Sequence, residues 1–236
     1  FKQKTAYEIS TRDWSSDVCS SDLTPSVSSF AFGPITIHLY ALCIIVGVAV
    51  AIFLGDKRYR AFGGNQGVVT ELAIWVVPAG VVGGRLYHVI TSPENFFGRQ
   101  GKVIDIVKIW EGGLGIWGAI ALGFAAAYWR YKRLSLELPF SYFMDALAPG
   151  LLIAQGIGRF GNWFNGELFG SPSNLPWALE IPRWLRPTGF EQLATYHPTF
   201  LYEALCNFIL AAILIDRKST RLNSSHEWIS RMPSSA

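Results

Sequence analysis

The sequence predicts an all-α fold, a polytopic bundle of transmembrane helices. Hydrophobic residues make up 50% of the 236-residue chain and charged residues only 16%, whereas roughly a quarter of the residues in an ordinary soluble domain are charged. Apolar runs of about 20 residues, the length that crosses a bilayer core, recur along the chain. Residues 24–216 hold 13 Lys or Arg and 12 Asp or Glu. This even balance gives no indication of a nucleic-acid surface.

Apolar runs predict five spans. They are Ile35–Leu54, Val69–Ile90, Leu114–Trp129, Phe140–Phe160 and Pro198–Ile215. Gly33-Pro34 introduces the first span and Gly55-Asp56 closes it. The second contains Glu71, Pro78 and Arg85, so one side of it must face protein or water.

The two ends differ in composition from the apolar segment between them. Residues 1–23 are polar and rich in Ser and Asp, and they lack the apolar core of a signal peptide. Residues 217–236 follow the last span abruptly, without helical or strand periodicity. Both ends resemble translated sequencing-adapter sequence, which predicts non-native flanks at 1–23 and 217–236 around a membrane domain at 24–216. The alternative is a pair of genuine disordered tails.

Basic residues predict the orientation of the bundle. The stretch "DKRYR" after the first span and "RYKR" after the third each place three basic residues near a membrane edge. The positive-inside rule puts these two connections in the cytoplasm. The end of the fourth span then lies at the outer face of the membrane.

A dense polar cluster, "GRFGNWFNGELFG", occupies Gly158–Gly170 at the end of the fourth span. On an ideal helix Asp145, Gln155, Arg159 and Asn162 fall within an arc of about 100° and form one polar stripe. Ionisable groups inside a membrane are costly unless they are paired or hydrated, which makes them functional candidates. Arg159 offers a planar fork of donors that suits a phosphate or carboxylate. The alternative is an arginine that extends to the head-group layer.

Two further polar positions lie at predicted span ends. His197 precedes Pro198, and Tyr202 and Glu203 follow one to two turns later. Two roles are open for His197. It could satisfy backbone groups where the last span begins, or it could have a functional role. Tyr40 lies near the outer end of the first span, where its position alone is typical of an interfacial aromatic belt.

The polar cluster resembles the signature of bacterial prolipoprotein diacylglyceryl transferases, Gly-Arg-x-Gly/Ala-Asn-Phe-apolar-Asn-x-Glu-x-x-Gly. Trp163 alone departs from it, replacing the usual Phe. The blocks "GPITIHLYAL", "GGRLYHV", "WEGGLGIWG" and "HPTFLYE" also follow the family's order and spacing, so the resemblance covers residues 33–216. It implies transfer of the diacylglyceryl group of phosphatidylglycerol to the lipobox cysteine of a prolipoprotein signal peptide. This reaction takes place at the outer side of the bacterial plasma (inner) membrane.

The resemblance also implies the residues of the site. Arg159 would stabilise the phosphate charge as the carbon–oxygen bond breaks. The implied catalytic residues are Tyr40, Arg159, Asn162, Glu167 and His197, and the implied substrate-binding residues are Asp145, Arg159, Gly161, Asn165, Gly170 and Glu203. The nucleophilic thiol belongs to the prolipoprotein, no metal or cofactor is implied, and the cysteines show no metal-ligand spacing. The expected partners are phosphatidylglycerol, prolipoproteins and membrane lipids, with no nucleic acid.

Two departures from the family pattern limit these expectations. Trp117 stands where many members carry a histidine proposed for catalysis, so the thiol base would be His197, another group or water. The family has seven spans and a further essential arginine in its C-terminal part, whereas five spans are predicted here. The chain alone is therefore expected to be inactive.

Two alternatives from other functional classes remain open at this point. A transporter or channel would use the polar stripe as a pathway, and it predicts internal symmetry between halves, which the sequence does not show. A non-catalytic lipid-binding protein would bind phosphatidylglycerol without turnover.

Overall fold

A computed structural model describes residues 25, 27–32, 35–97, 102–109 and 112–230. The elements, in order, are β1 Ser29–Phe32, β2 Ile35–His38, α1 Leu39–Ala61, α2 Val68–Thr91, α3 Glu94–Phe97, α4 Ile116–Arg133, α5 Phe140–Asn165, β3 Leu179–Glu180, β4 Thr195–Tyr196 and α6 Thr199–Ser230. Short 3-10 turns lie at Val103–Val107 and Arg183–Leu185. Long helices dominate, which confirms the predicted all-α class.

Among the described residues, four helices are long and apolar enough to cross a membrane. They are Leu39–Ala61, Val68–Thr91, Phe140–Asn165 and, within α6, Thr199–Asp216. The chain is therefore a multi-pass membrane protein. The third predicted span forms α4, whose last turn contains Arg130, Lys132 and Arg133. This basic turn shortens the apolar part of α4 and suits a helix end near the head groups.

The first span begins and ends later than predicted. Residues 35–38 form β2, which pairs antiparallel with β1 and sets Ser29 opposite His38. The run Ile-Thr-Ile consists of β-branched residues, which favour a strand over a helix. The helix therefore begins at Leu39, and it continues through the glycine–aspartate pair that was expected to close it, to Ala61.

The remaining bounds place the polar cluster partly on a helix. The bounds of α2 lie within one residue of the prediction at each end. α5 continues past Phe160 to Asn165, so the first half of the polar cluster forms its last turns. α6 continues beyond Ile215 to Ser230, into the segment expected to be a flank. The other expected flank, residues 1–23, lies outside the described residues.

The chain divides into two compact units. The first comprises residues 1–43 and 158–204, and the second comprises residues 44–157 and 205–236. In the second unit α2 and α4 approach closely at two glycines. A Cβ on Gly83 would clash with the carbonyl oxygen of Gly118, and one on Gly118 would clash with that of Gly83. Such contacts are typical of helix pairs in membranes.

An aromatic and aliphatic core completes the second unit. Its buried members are Tyr59, Val68, Val69, Leu72, Ala127, Tyr131, Phe143 and Ala146. The hydroxyl oxygens of Tyr59 and Tyr131 lie 2.9 Å apart, and the Tyr131 hydroxyl donates to the carbonyl of Leu138 at 2.7 Å. The buried hydroxyls are thus paired.

The first unit contains the end of α5, the beginning of α6 and the long connection between them. Within this connection β3 and β4 pair antiparallel, with Leu179 opposite Tyr196. These two residues and Ile181 form its buried core. The rings of Trp163 and Phe200 stack with centroids 5.8 Å apart, which fixes the end of α5 against the beginning of α6. The polar cluster is held at this junction.

Candidate functional site

Arg159 and Glu203 form an ion pair across the junction of α5 and α6. The Nη2 atom of Arg159 lies 2.5 Å from the Oε2 atom of Glu203. The side chains are 25% and 48% exposed, respectively, so the pair is accessible. The pairing offsets part of the cost of an arginine in an apolar helix. The structure thus brings together two residues of the predicted site that are far apart in sequence.

The turn after α5 organises three further residues of the predicted site. Asn162 is buried, and its backbone carbonyl accepts a hydrogen bond from the Glu167 amide at 3.1 Å. Gly166 has a φ of 63°, the left-handed conformation that ends many helices. The Asn165 side-chain amide donates to the Glu167 carboxylate at 3.1 Å. The turn therefore presents an amide and a carboxylate side by side on an exposed surface.

Two glycines of the cluster allow close contact with other site residues. A Cβ on Gly161 would lie 2.8 Å from the Cδ2 atom of Tyr40, so the tyrosine ring packs directly on the helix backbone. A Cβ on Gly170 would lie 2.9 Å from the Cβ of His197 and the Cγ2 of Thr199. The Gly170 amide also donates to the His197 carbonyl at 2.9 Å. Tyr40 and His197 are thus both in contact with the polar cluster.

The His197 imidazole belongs to a chain of side-chain hydrogen bonds. Its Nδ1 atom lies 3.1 Å from the Tyr202 hydroxyl oxygen. The same oxygen accepts a hydrogen bond from Trp177 Nε1 at 3.0 Å. Neither Trp177 nor Tyr202 is among the site residues predicted from the sequence. The available signal was that Tyr202 directly precedes Glu203.

One predicted site residue lies in the other unit. Asp145 belongs to the second unit, where it interacts electrostatically with Arg58 of α1. The other predicted site residues belong to the first unit. Trp117 lies exposed in the first turn of α4. Within the described part of the chain, no group of three or more His, Cys, Asp or Glu side chains is placed to hold a metal ion.

A second arginine in a span has very different surroundings. Arg85 of α2 is only 8% exposed. Its five N–H donors reach the backbone carbonyls of Asp105, Ile106, Lys108, Gly112 and Gly113 at 2.5–3.2 Å. The guanidinium also lies 5.2 Å from the centre of the Phe96 ring. This side of α2 therefore faces protein, and the Arg85 guanidinium is saturated by the connection that precedes α4.

Comparison with known proteins gives one family. The family model for prolipoprotein diacylglyceryl transferases matches residues 27–229. A phosphatidylglycerol–prolipoprotein diacylglyceryl transferase 2 of Streptomyces coelicolor is 53% identical over 192 residues, which is 81% of this chain and 60% of the relative. The Cutibacterium acnes transferase is 51% identical over 199 residues, or 84% of this chain and 67% of the relative. That of Bifidobacterium adolescentis is 42% identical over 202 residues, or 81% and 60%.

The match covers most of this chain but less of its relatives. The chain spans 60%, 67% and 57% of the length of three of the curated relatives it matches. The family match includes the whole first unit from residue 27 onward, and therefore the ion pair, the turn after α5 and His197.

Proposed function

The chain belongs to the prolipoprotein diacylglyceryl transferase family, and on this premise we propose that it carries the phosphatidylglycerol site of such an enzyme. The enzyme would transfer the diacylglyceryl group to the lipobox cysteine in the signal peptide of a prolipoprotein. Family membership favours this activity over a transporter, a channel or a non-catalytic lipid-binding protein.

The observation that carries the proposal is the accessible ion pair of Arg159 and Glu203. A guanidinium has five N–H donors in a planar fork that matches phosphate oxygens. Within the described residues the contact with Glu203 is made through Nη2. We propose that the phosphate of phosphatidylglycerol accepts hydrogen bonds from those N–H donors of Arg159 that do not contact Glu203. Glu203 then orients Arg159, and the phosphate does not have to displace it.

The chemistry explains why an arginine is needed there. The thiol sulfur forms a bond to the glyceryl carbon, and the bond from that carbon to the phosphate oxygen breaks. The electron pair of the broken bond leaves with glycerol phosphate, while the thiol proton passes to a base. Negative charge therefore grows on the phosphate, where charge-assisted hydrogen bonds from Arg159 stabilise it.

The surrounding residues would complete the head-group site. Asn165 and Glu167 present a donor and an acceptor that suit glycerol hydroxyls, and the buried Asn162 holds their turn. Tyr40 would line the site through its contact with Gly161. A supporting role for Asp145 rests on the family resemblance alone. Gly170 would position His197 through their close contact.

We further propose that the protein lies in the bacterial inner membrane with this site at the outer face. The last turns of α1 and α4 contain Arg58 and Arg60, and Arg130, Lys132 and Arg133, respectively. The last turn of α5 contains no basic residue. This asymmetry supports cytoplasmic ends for α1 and α4 and an outer end for α5.

A mass measurement on a lipobox peptide tests the proposed activity. A full-length protein that carries this chain is expressed in bacteria depleted of their own transferase, and the peptide mass is recorded. We expect a gain of one diacylglyceryl group, a gain about 10²–10³-fold slower for Arg159→Ala, and an unchanged gain for the exposed control Arg183→Ala. Full modification by Arg159→Ala would refute the phosphate role. Binding of phosphatidylglycerol without any mass gain would identify a lipid-binding protein instead.

A further inference from the structure

Trp177, Tyr202 and His197 form a linear series of hydrogen bonds beside the polar cluster. Trp177 lies in the connection between α5 and β3, Tyr202 in the first turn of α6, and His197 just before that helix. The Tyr202 hydroxyl is the common partner, 3.0 Å from Trp177 Nε1 and 3.1 Å from His197 Nδ1. This series therefore links a loop, a helix and a titratable ring.

The chemistry of the indole fixes the direction of the first bond of the series. An indole N–H only donates, so the Tyr202 oxygen must accept from Trp177. A phenol has one proton to donate. In the described part of the chain His197 Nδ1 is the acceptor that the structure offers this proton. When the Tyr202 hydroxyl donates this proton to Nδ1, the proton of a neutral imidazole lies on Nε2.

We propose that Trp177 and Tyr202 are positioning residues that hold His197 in its Nε2–H tautomer, so that His197 donates a hydrogen bond to the phosphate of phosphatidylglycerol. The phosphate part of this inference rests on the proposed function. The tautomer part rests on the 3.1 Å contact of His197 Nδ1 with the Tyr202 hydroxyl and on the assignment of that hydroxyl as the donor.

The backbone around His197 holds the ring in place for this task. The His197 amide donates to the Ser171 carbonyl at 3.0 Å, and the His197 carbonyl accepts from Gly170 at 2.9 Å. The close contact at Gly170 would be lost with any larger residue, because a Cβ there would lie 2.9 Å from the Cβ of His197. Gly170, the last glycine of the signature, thus allows His197 to pack closely against it. Tyr202 orients the imidazole ring.

This assignment changes the role expected of His197. In the Nε2–H tautomer the lone pair on Nδ1 is occupied by Tyr202, and Nε2 has no lone pair to accept a proton. The neutral ring therefore does not take the thiol proton, which must pass to water or another base. It supplies a neutral donor that supplements Arg159 as charge grows on the phosphate, and it keeps its proton throughout.

Nitrogen-15 NMR of histidine-labelled chain in detergent micelles measures the tautomer directly. The chain contains four histidines, and a His197→Gln sample identifies the resonances of His197. We expect the Nε2–H form to predominate at a pH where the ring is neutral. Tyr202→Phe and Trp177→Phe, which remove one hydroxyl and one N–H, should each raise the Nδ1–H population several-fold. The control Tyr142→Phe, in the second unit, should leave it unchanged.

The outcomes of this measurement separate the proposal from its alternatives. A predominant Nδ1–H form in the unmodified chain overturns the proposal. An unchanged tautomer in both phenylalanine variants also overturns it, because the series then does not determine the protonation. If Tyr202→Phe does not fold, Trp177→Phe decides the result, because it retains an aromatic ring at the exposed end of the series.

A lipid titration tests the phosphate contact separately from the tautomer of His197. Micelles are titrated with phosphatidylglycerol, and then with phosphatidylcholine as a control. We expect phosphatidylglycerol to shift the Nε2–H proton resonance of His197. In the transfer assay His197→Gln, whose amide can mimic the Nε2–H donor, should retain more activity than His197→Asn. A confirmed tautomer without a shift would refute the phosphate contact and leave the positioning series intact.

Discussion

The two arginines within predicted spans differ in how their donors are used. Arg85 directs all five N–H groups at backbone carbonyls of a single connection and is almost completely buried. Arg159 contacts the carboxylate of Glu203 through Nη2 and remains 25% exposed. Burial with complete hydrogen bonding is what a structural arginine requires. Partial exposure beside one carboxylate is what a site for a second anion requires.

This difference shows why residue type and span position do not identify a functional arginine. Each residue directly follows a glycine, and both lie in apolar sequence. In each case an intramembrane charge is a functional candidate by default. The geometry of the partners separates them, because carbonyls leave Arg85 no donor for a ligand.

Arg85→Ala should cause the largest loss of stability. It leaves five backbone carbonyls without their donor, and each unsatisfied buried group costs about 1–3 kcal/mol. We expect a loss of several kcal/mol in the unfolding free energy, measured by tryptophan fluorescence in detergent. Arg60→Ala is the control, since Arg60 is exposed and an i, i+4 helix pair such as the one it forms with Asp56 contributes only about 0.3–0.5 kcal/mol. Equal stability of the two variants would contradict a structural role for Arg85.

Arg159→Ala should reduce turnover and leave folding unchanged. Removal of a donor to charge that develops in the transition state costs about 10²–10³-fold in kcat. Arg159→Lys keeps the charge but loses the planar fork, so its turnover should be intermediate. Both are measured with a lipobox peptide and phosphatidylglycerol in the full-length protein. Unfolding of Arg159→Ala would instead class this arginine with Arg85.

Glu203→Gln should have a smaller effect on the same reaction. The amide keeps the size of the side chain, and Arg159 keeps its charge but loses the carboxylate that orients it. We expect up to about a tenfold decrease in kcat, equivalent to about 1.4 kcal/mol, with little change in KM. A decrease as large as that of Arg159→Ala would show that Glu203 itself contacts the reacting groups. No change at all would make the ion pair dispensable.

The smallest expected effect concerns the pKa of Glu191, an exposed residue of the first unit. The Gly189 amide donates to the Glu191 carboxylate at 3.0 Å. This bond, followed by one from the Glu191 amide and by the charge of Arg183, holds the pKa of Glu191 below its ordinary value. The contact is complete above the ordinary pKa and is lost as pH falls through the lowered one. Carboxyl carbon-13 NMR against a peptide of the same local sequence measures this shift, and an equal pKa in both would contradict it.

The parts of the fold that depend on local sequence could be predicted. The bounds of α2 follow from a long apolar run between polar turns, and the polar cluster was identified because ionisable residues are costly in a membrane. The start of α1 could not be read from hydropathy, since the β-branched residues of β2 are as apolar as the helix that follows them. Strand pairing with β1 decided that boundary.

The contacts that separate the two arginines could not be predicted. The partners of Arg85 are backbone carbonyls, which every residue has, so no residue type signals them. Trp177 and Tyr202 are 25 residues apart and meet only because the connection between α5 and α6 folds back on itself. The family resemblance placed Arg159 and Glu203 in one site, and local spacing alone does not predict their pairing.

Binding of phosphatidylglycerol to the chain in nanodiscs of neutral lipid tests the central distinction most directly. The unmodified chain, Arg159→Ala and Arg183→Ala are compared by native mass spectrometry, with circular dichroism to confirm equal helix content. We expect Arg159→Ala to lose at least about tenfold in affinity, equivalent to about 1.4 kcal/mol, and Arg183→Ala to bind like the unmodified chain. Equal affinity for all three proteins, each folded, would contradict the assignment of Arg159 to the phosphate.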